Sequence, residues 1–201
     1  VWLPEDEQAF AESAMALNRI EALDALDLAN ATGLRRADLA AATLDEVGEH
    51  ALVRTALKKS RGRRRRAVVP LIPDSRRLIA ELATRPREPG VRTLLVNSLG
   101  RPWTPGSLTQ AFNQVRDAAN GRRGIVHPGN EESGEPPRAK HLHDCRGTFV
   151  TKLCRLDPPL TNDEIARIAA WSPSNVERIR RTYVDDAAIV VALSERISRS
   201  L

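Results

Sequence analysis

Aromatic side chains are scarce: three Trp, three Phe and one Tyr among 201 residues. The core therefore has to be built mainly from aliphatic side chains. Cysteine occurs twice, at Cys145 and Cys154, nine positions apart in what reads as one helix. Side chains so placed do not bridge easily, and two reduced, buried thiols in a cytosolic protein are expected. A zinc site would need more ligands at closer spacing. No apolar run approaches the roughly 18 residues that a membrane-spanning helix requires. The first six residues, Val-Trp-Leu-Pro-Glu-Asp, lack the basic start and apolar middle of a secretory leader. They read as an internal point of a larger protein, where Pro4 opens a helix with an acidic first turn. There is no P-loop, no carboxylate cluster with metal-ligand spacing and no internal repeat.

Positive charge is abundant, and its placement says more than its total. The chain carries 31 Lys and Arg against 26 Asp and Glu, a formal net charge of +5. Lys58, Lys59, Arg61, Arg63, Arg64, Arg65 and Arg66 place seven cations within nine residues. Arg178, Arg180 and Arg181 form a second cluster just ahead of Tyr183, the only tyrosine. Runs of this kind neutralise a polyphosphate backbone and release its counterions. Taken alone, the first run is equally consistent with a solvated, solubilising loop.

Hydrophobic periodicity and breaker residues divide the chain into short elements. Helices are expected over residues 5–18, 20–31 and 36–42, with Thr32-Gly33 as a stop signal between the last two. Strands are expected over 43–47, 51–57 and 66–71, the last two flanking the basic run and making it a hairpin loop. Pro70 keeps its strand near an edge. Helices follow over 74–84 and 105–119, with a short extended piece at 92–96 between them. Residues 120–138, polar and rich in Gly, Pro and Glu, read as a long surface loop. Four helical segments close the chain, over about 143–156, 161–170, 174–182 and 185–199. The last carries Ile189, Val190, Leu193 and Ile197 as an apolar stripe. The class is mainly α with a small antiparallel three-stranded sheet, in a single domain over 1–201.

The chemistry-bearing residues lie in three places. His143 and Arg146, three apart at a helix start, face one side, joining a proton carrier to a fixed cation. That pair alone is as well explained by a helix cap and a surface arginine. The set His141, His143 and Cys145 would be a sparse metal site, with no further histidine cluster to complete it. A lone tyrosine such as Tyr183 ordinarily belongs to a core or a surface.

Their order changes the reading. Thr32-Gly33-Leu34-Arg35-Arg36-Ala37-Asp38-Leu39 comes first, then the basic hairpin ending Val68-Val69-Pro70-Leu71. His143-Asp144-Cys145-Arg146-Gly147-Thr148, Trp171-Ser172 and Tyr183 follow. This succession resembles the tyrosine recombinases of the phage-integrase type, over about residues 6–186. The resemblance implies the recombinase catalytic-domain fold and a catalytic set of Arg35, Lys59, His143, Arg146, Trp171 and Tyr183, with Asp38 supporting. Lys58 lies one residue from Lys59, and the pattern does not separate them. Trp171 fills a position held by His in many members and Trp in others. Two departures stand out: Tyr183 lies twelve positions after Trp171, and the loop before His141 is longer than usual.

The resemblance further implies that Tyr183 attacks a DNA phosphodiester to form a 3′-phosphotyrosine, followed by strand exchange and religation. It implies double-stranded DNA as partner, contacted also by Lys58, Arg61, Arg63, Arg64, Arg65, Arg66, Arg180 and Arg181. No cofactor and no metal are expected. The full-length protein is expected to form a tetramer on DNA and the isolated domain a monomer, with an N-terminal DNA-clamping domain missing here. Location would be cytoplasmic, at the nucleoid of a bacterium or encoded by a phage, in the service of a mobile element. Two other functions share these residues: a non-catalytic DNA-binding relative, and DNA relaxation of the type IB topoisomerase kind. The Gly-Leu-Arg and His-Asp-x-Arg contexts favour recombination.

Overall fold

In the computed structural model, Pro4 at the first helical position and Glu5, Asp6 and Glu7 in the first turn open helix α1 (Pro4–Ala16). The structure describes residues 1–60, 62–129 and 134–183. Helix α2 (Ile20–Thr32) ends at Gly33, whose φ of 59° is the left-handed conformation that closes a helix. Helix α3 (Arg36–Ala41) follows after the three residues Gly33, Leu34 and Arg35. The antiparallel hairpin of β1 (Ala51–Ser60) and β2 (Arg63–Pro70) comes next, then α4 (Pro73–Thr84) and α5 (Pro105–Arg122). A small pair, β3 (Val126–His127) and β4 (Arg138–Ala139), leads into α6 (Cys145–Cys154), α7 (Asn162–Ala169) and α8 (Pro173–Tyr183). Among the described residues no helix is long and apolar enough to cross a membrane.

The core lies where α1, α2, α5 and α6 pack together, with α7 and α8 closing over α6. Leu26, Leu28, Leu39, Leu52, Leu82, Leu94, Leu95, Leu108, Ile125 and Ile165 are fully buried, as the shortage of aromatics requires. One end is aromatic all the same. Trp2, Phe10 and Phe112 meet edge-on or tilted, with ring centroids 4.7–5.7 Å apart. Trp2 also donates its indole N–H to the His141 carbonyl and its backbone N–H to Thr148, at 3.2 and 2.7 Å. The aromatic cluster thus sits directly beneath the His143–Arg146 segment.

Several expectations need correction. The sheet has no third strand among the described residues: the structure holds two separate two-stranded sheets, β1–β2 and β3–β4. Residues 43–47 form a 3₁₀ turn (Leu44–Glu46) held by single bridges from Thr43 to Thr93 and from Val47 to Leu52. The cause is legible in Thr43-x-x-Glu46, because the Glu46 carboxylate accepts the Thr43 N–H at 3.0 Å, a helix-start pattern that overrides β propensity. The basic run is not a loop. Lys58 and Lys59 belong to β1, Arg63–Arg66 to β2, and Lys59 stands opposite Arg64. The expected loop over 120–138 holds β3 and the first residue of β4, and α5 runs into it past a kink at Ala119, Asn120 and Gly121. The helix expected over 185–199 lies outside the described residues.

Candidate active site

The short link between α2 and α3 fixes the first corner of the site. Gly33 is buried, and a Cβ added there would lie 2.3 Å from the Phe149 ring, so the position requires glycine for space as well as for its positive φ. Its carbonyl accepts a hydrogen bond from the Arg146 guanidinium. Arg35, two residues on, caps α3 in extended conformation, half-buried. Asp38, one turn into α3, is buried and accepts the Leu57 N–H of β1 at 2.8 Å. Its carboxylate is also 3.9 Å from Arg54. Asp38 therefore anchors the hairpin to the helix that carries Arg35.

A 3₁₀ turn (Leu142–Asp144) delivers His143, and the first turn of α6 delivers Arg146. The turn is braced by Asp144, which accepts the His141 N–H at 2.8 Å and pairs with Arg138 at 2.8 Å. Burial works to raise the Asp144 pKa, but Arg138 and the His141 N–H outweigh it and the net shift is downward. Behind the turn, Lys140 is buried and paired with Asp6 of α1. Arg146 is 3% exposed; besides the Gly33 carbonyl it bonds the Ala169 carbonyl at 3.2 Å. Its guanidinium carbon lies 5.3 Å from the centroid of the Trp171 ring. Burial, then the proximity of Arg35, pushes the Arg146 pKa down to about 9, against the opposing pull of Asp38. The group is still a cation at neutral pH, held by carbonyls and a ring face with no carboxylate in direct contact.

Trp171 comes from the turn between α7 and α8. Ala170 ends α7 with φ 54° and ψ 42°, a left-handed residue that is not glycine, and this reverses the chain so that Trp171 faces Arg146. The Trp171 carbonyl accepts a hydrogen bond from Arg65 of β2.

These residues surround one cleft of about 420 Å³, lined by Arg35, Arg65, His143, Arg146 and Trp171 together with Ser174, Asn175 and Arg178 of α8. Four arginines and no carboxylate stand among the described residues of its wall. His143, exposed at the cleft mouth, has its imidazole pKa lowered by burial of part of the ring and by Arg146. At neutral pH it is a neutral base with an anion-seeking wall beside it.

Four of the six residues of the sequence-derived catalytic set thus line one cleft. Lys58 and Lys59 do not: both are exposed on β1, outside the lining. Tyr183 is the last residue of α8, and its side chain lies outside what the structure describes. Arg61 and the side chain of Arg63 lie outside it as well. Arg64 and Arg66 are exposed on β2. Arg180 is engaged within the domain, donating to the Leu160 carbonyl and the Asn162 side chain at 2.9 and 3.1 Å. Arg181 is exposed and paired with Glu177. Ser174 and Asn175 are not part of the sequence-derived site, and Arg178 enters it only as one of a basic cluster. Their spacing on one helix, Arg178 three and four residues after Asn175 and Ser174, is the signal that would have found them.

The fold is that of tyrosine-recombinase catalytic domains. Among solved structures, the Tn1549 transposon integrase in complex with transposon right-end DNA aligns over 98% of this chain and 65% of its own, with a TM-score of 0.66 and 16% identity. A lambda integrase (75–356) dimer bound to a COC′ core site aligns over 88% of this chain and 57% of its own, with a TM-score of 0.64 and 14% identity. A lambda integrase tetramer bound to a Holliday junction gives a TM-score of 0.63 at 14% identity, over 87% of this chain and 47% of its own. This chain therefore spans about half to two thirds of the length of these proteins. No protein-family model matches the sequence, and no curated protein sequence does.

Proposed function

We infer that this chain is the catalytic domain of a site-specific DNA recombinase, with Tyr183 as nucleophile and a 3′-phosphotyrosine as intermediate. One observation carries the reading: a cleft walled by four arginines, a histidine and a tryptophan, with no carboxylate among its described residues. Such a wall binds a phosphodiester and stabilises it further as charge builds on its non-bridging oxygens during attack. Arg35 and Arg146 grip those oxygens. Arg146 is held in place from behind by the Gly33 and Ala169 carbonyls and by Trp171.

A free tyrosine, with a pKa near 10, is ionised at pH 7 at a cost of roughly 4 kcal/mol. His143, neutral at that pH, takes the phenolic proton as the oxygen–phosphorus bond forms. The bond that breaks is the one to the 5′-oxygen of the next nucleotide, which leaves with a proton. Lys59, or Lys58 beside it, supplies that proton when bound DNA draws the hairpin over the cleft. The phosphotyrosine diester keeps the bond energy, so a 5′-hydroxyl from another strand restores the DNA backbone. The reading calls on no metal or nucleotide cofactor. Lys58, Arg61, Arg63, Arg64, Arg66 and Arg181 extend the contact along double-stranded DNA. The lambda integrase tetramer on a Holliday junction supports a tetramer of the full-length protein on DNA; the isolated domain is taken as a monomer. The setting is the bacterial cytoplasm, at the nucleoid, for a protein encoded by the bacterium or by a phage and acting in the movement of a mobile element.

The test is a library of nicked duplexes with randomised arms, incubated with the chain and run on a denaturing gel. A protein–DNA species that survives denaturant, is released by protease and is lost in Tyr183→Phe is the expected result. No such species, or one that persists in Tyr183→Phe, overturns the reading.

A further inference from the structure

Arg65 differs from its neighbours in the basic run. Arg64 and Arg66 are exposed, whereas Arg65 is half-buried, donates to the Trp171 carbonyl and lines the cleft. It also lines a second cleft of about 520 Å³ with Arg66, Arg167 and Pro173, so it stands as the partition between the two. Alternation along β2 explains the difference, since one residue in two must turn toward the body of the domain, where α7 packs on this strand. The bond it makes falls at a sensitive point. The chain reverses at Ala170 in a left-handed conformation, which strains a residue with a Cβ. The Ala170 and Trp171 N–H groups close that turn on the Ala166 carbonyl, the latter at 2.9 Å, and the Arg65 bond to the Trp171 carbonyl is a second clasp, set directly on the residue whose indole lies over Arg146.

We propose that Arg65 is a positioning residue for the anion site: by pinning the Trp171 backbone it holds the indole against Arg146 and so fixes the guanidinium that grips the phosphate. A line of contacts then runs from the hairpin, through Arg65, Trp171 and Arg146, to Gly33. A hairpin displaced from the domain would leave the arginine unlocked. The proposal deepens the recombinase reading only in assigning the anion to DNA. Its test needs neither DNA nor Tyr183.

The probe is sulfate, a tetrahedral anion of constant charge near neutral pH, titrated into the 201-residue chain and followed through the His143 ring resonances. The second readout is the ring-current shift that Trp171 imposes on the Arg146 side-chain protons, with Trp171→Leu as the zero. Arg65→Ala is expected to weaken sulfate about tenfold, the effect of one good hydrogen bond. It should also erase most of the ring-current shift. Arg65→Lys, which keeps a donor for the carbonyl, should recover both to within about twofold. Arg167→Ala removes a cation from the adjoining cleft and leaves the Arg65 bond to the Trp171 carbonyl in place, and should change either readout less than twofold. Unchanged signals from the Trp2 and Trp103 indoles verify the fold of each variant. Sulfate weakened by Arg65→Ala with the ring-current shift intact would make Arg65 a direct anion ligand and overturn the proposal. Equal losses in Arg65→Ala and Arg167→Ala would reduce it to bulk charge and overturn it too. Absence of a covalent DNA adduct, by contrast, would sink the recombinase reading and leave this one standing.

Discussion

Arg146 stacks its guanidinium 5.3 Å from the centre of the Trp171 ring and bonds only carbonyl oxygens besides. The arrangement favours binding over stability. A ring face contributes about 1–2 kcal/mol to a desolvated cation, far less than a carboxylate in contact would. The balance of the interaction is left for an incoming anion.

Replacing Arg146 by methionine should therefore separate folding from function. Arg146→Met nearly keeps the volume and removes a buried charge, but leaves the Gly33 and Ala169 carbonyls without their donor, so the two effects oppose and the midpoint of thermal unfolding should move by only a few degrees. Sulfate binding at the cleft should fall at least tenfold. Calorimetry and the His143 titration read the two effects; a large drop in the unfolding midpoint would mean that Arg146 holds the fold together.

Gly33→Ala should be among the more damaging single-atom additions to this domain. The new Cβ meets the Phe149 ring at 2.3 Å at a position with φ +59°, and displaces the carbonyl that Arg146 uses. A loss of about 2–3 kcal/mol is expected in denaturant unfolding. Sulfate affinity should fall in the surviving folded fraction. Full stability would show that Phe149 turns aside freely.

The pKa of His143 lies below its ordinary value because burial of the ring and the nearby Arg146 disfavour the imidazolium. Its neutral form therefore favours folding: the contribution is present above the unfolded-state value near 6.5 and is lost as pH falls through the lower folded value. A sulfate in the cleft should push that folded value back up. By linkage, sulfate should bind more tightly as pH drops through it. Proton resonances of the His143 ring, followed with and without sulfate, check both directions. Identical titration curves would place the anion elsewhere.

Away from the cleft, burial, then Asp24, Glu7 and Glu81, raises the Asp27 pKa to about 6. A carboxyl raised in the folded state favours folding fully below about 4, and that contribution is lost as pH rises through about 6. At pH 7.5 the ionised group opposes the fold. Asp27→Asn should stabilise the chain there by order 1 kcal/mol, and by little at pH 4.5. Urea unfolding at the two pH values tests the difference, and an equal effect at both would refute it.

What the sequence made legible follows local chemistry. Gly33 and Pro4 mark helix ends whatever the tertiary setting, and Thr161 caps α7 by accepting the Glu164 N–H at 3.2 Å. Arg35, His143, Arg146 and Trp171 could be gathered because family order stands in for their spatial meeting. Residues 43–47 combine β-branched Thr43 and Val47 with a Thr43-x-x-Glu46 pair, so strand propensity and a helix-start signal compete over the same five residues. The roles within the basic run were hidden for a different reason. In a string of arginines the facing of each depends on strand register, which here shifts between Thr55 and Lys59. Lys59 belongs to the catalytic set by resemblance alone, and it is absent from the cleft lining.

That register has a thermodynamic corollary. Cations laid on a two-faced ribbon do not all count toward displacing ions from a polyanion, because one that already serves the domain, as Arg65 does, releases none when DNA arrives. The slope of log K against log salt should therefore report fewer released ions than the seven charges of the run. Two chains of identical composition with Arg65 and Val68 exchanged would share a net charge and differ in everything that depends on which way each side chain faces.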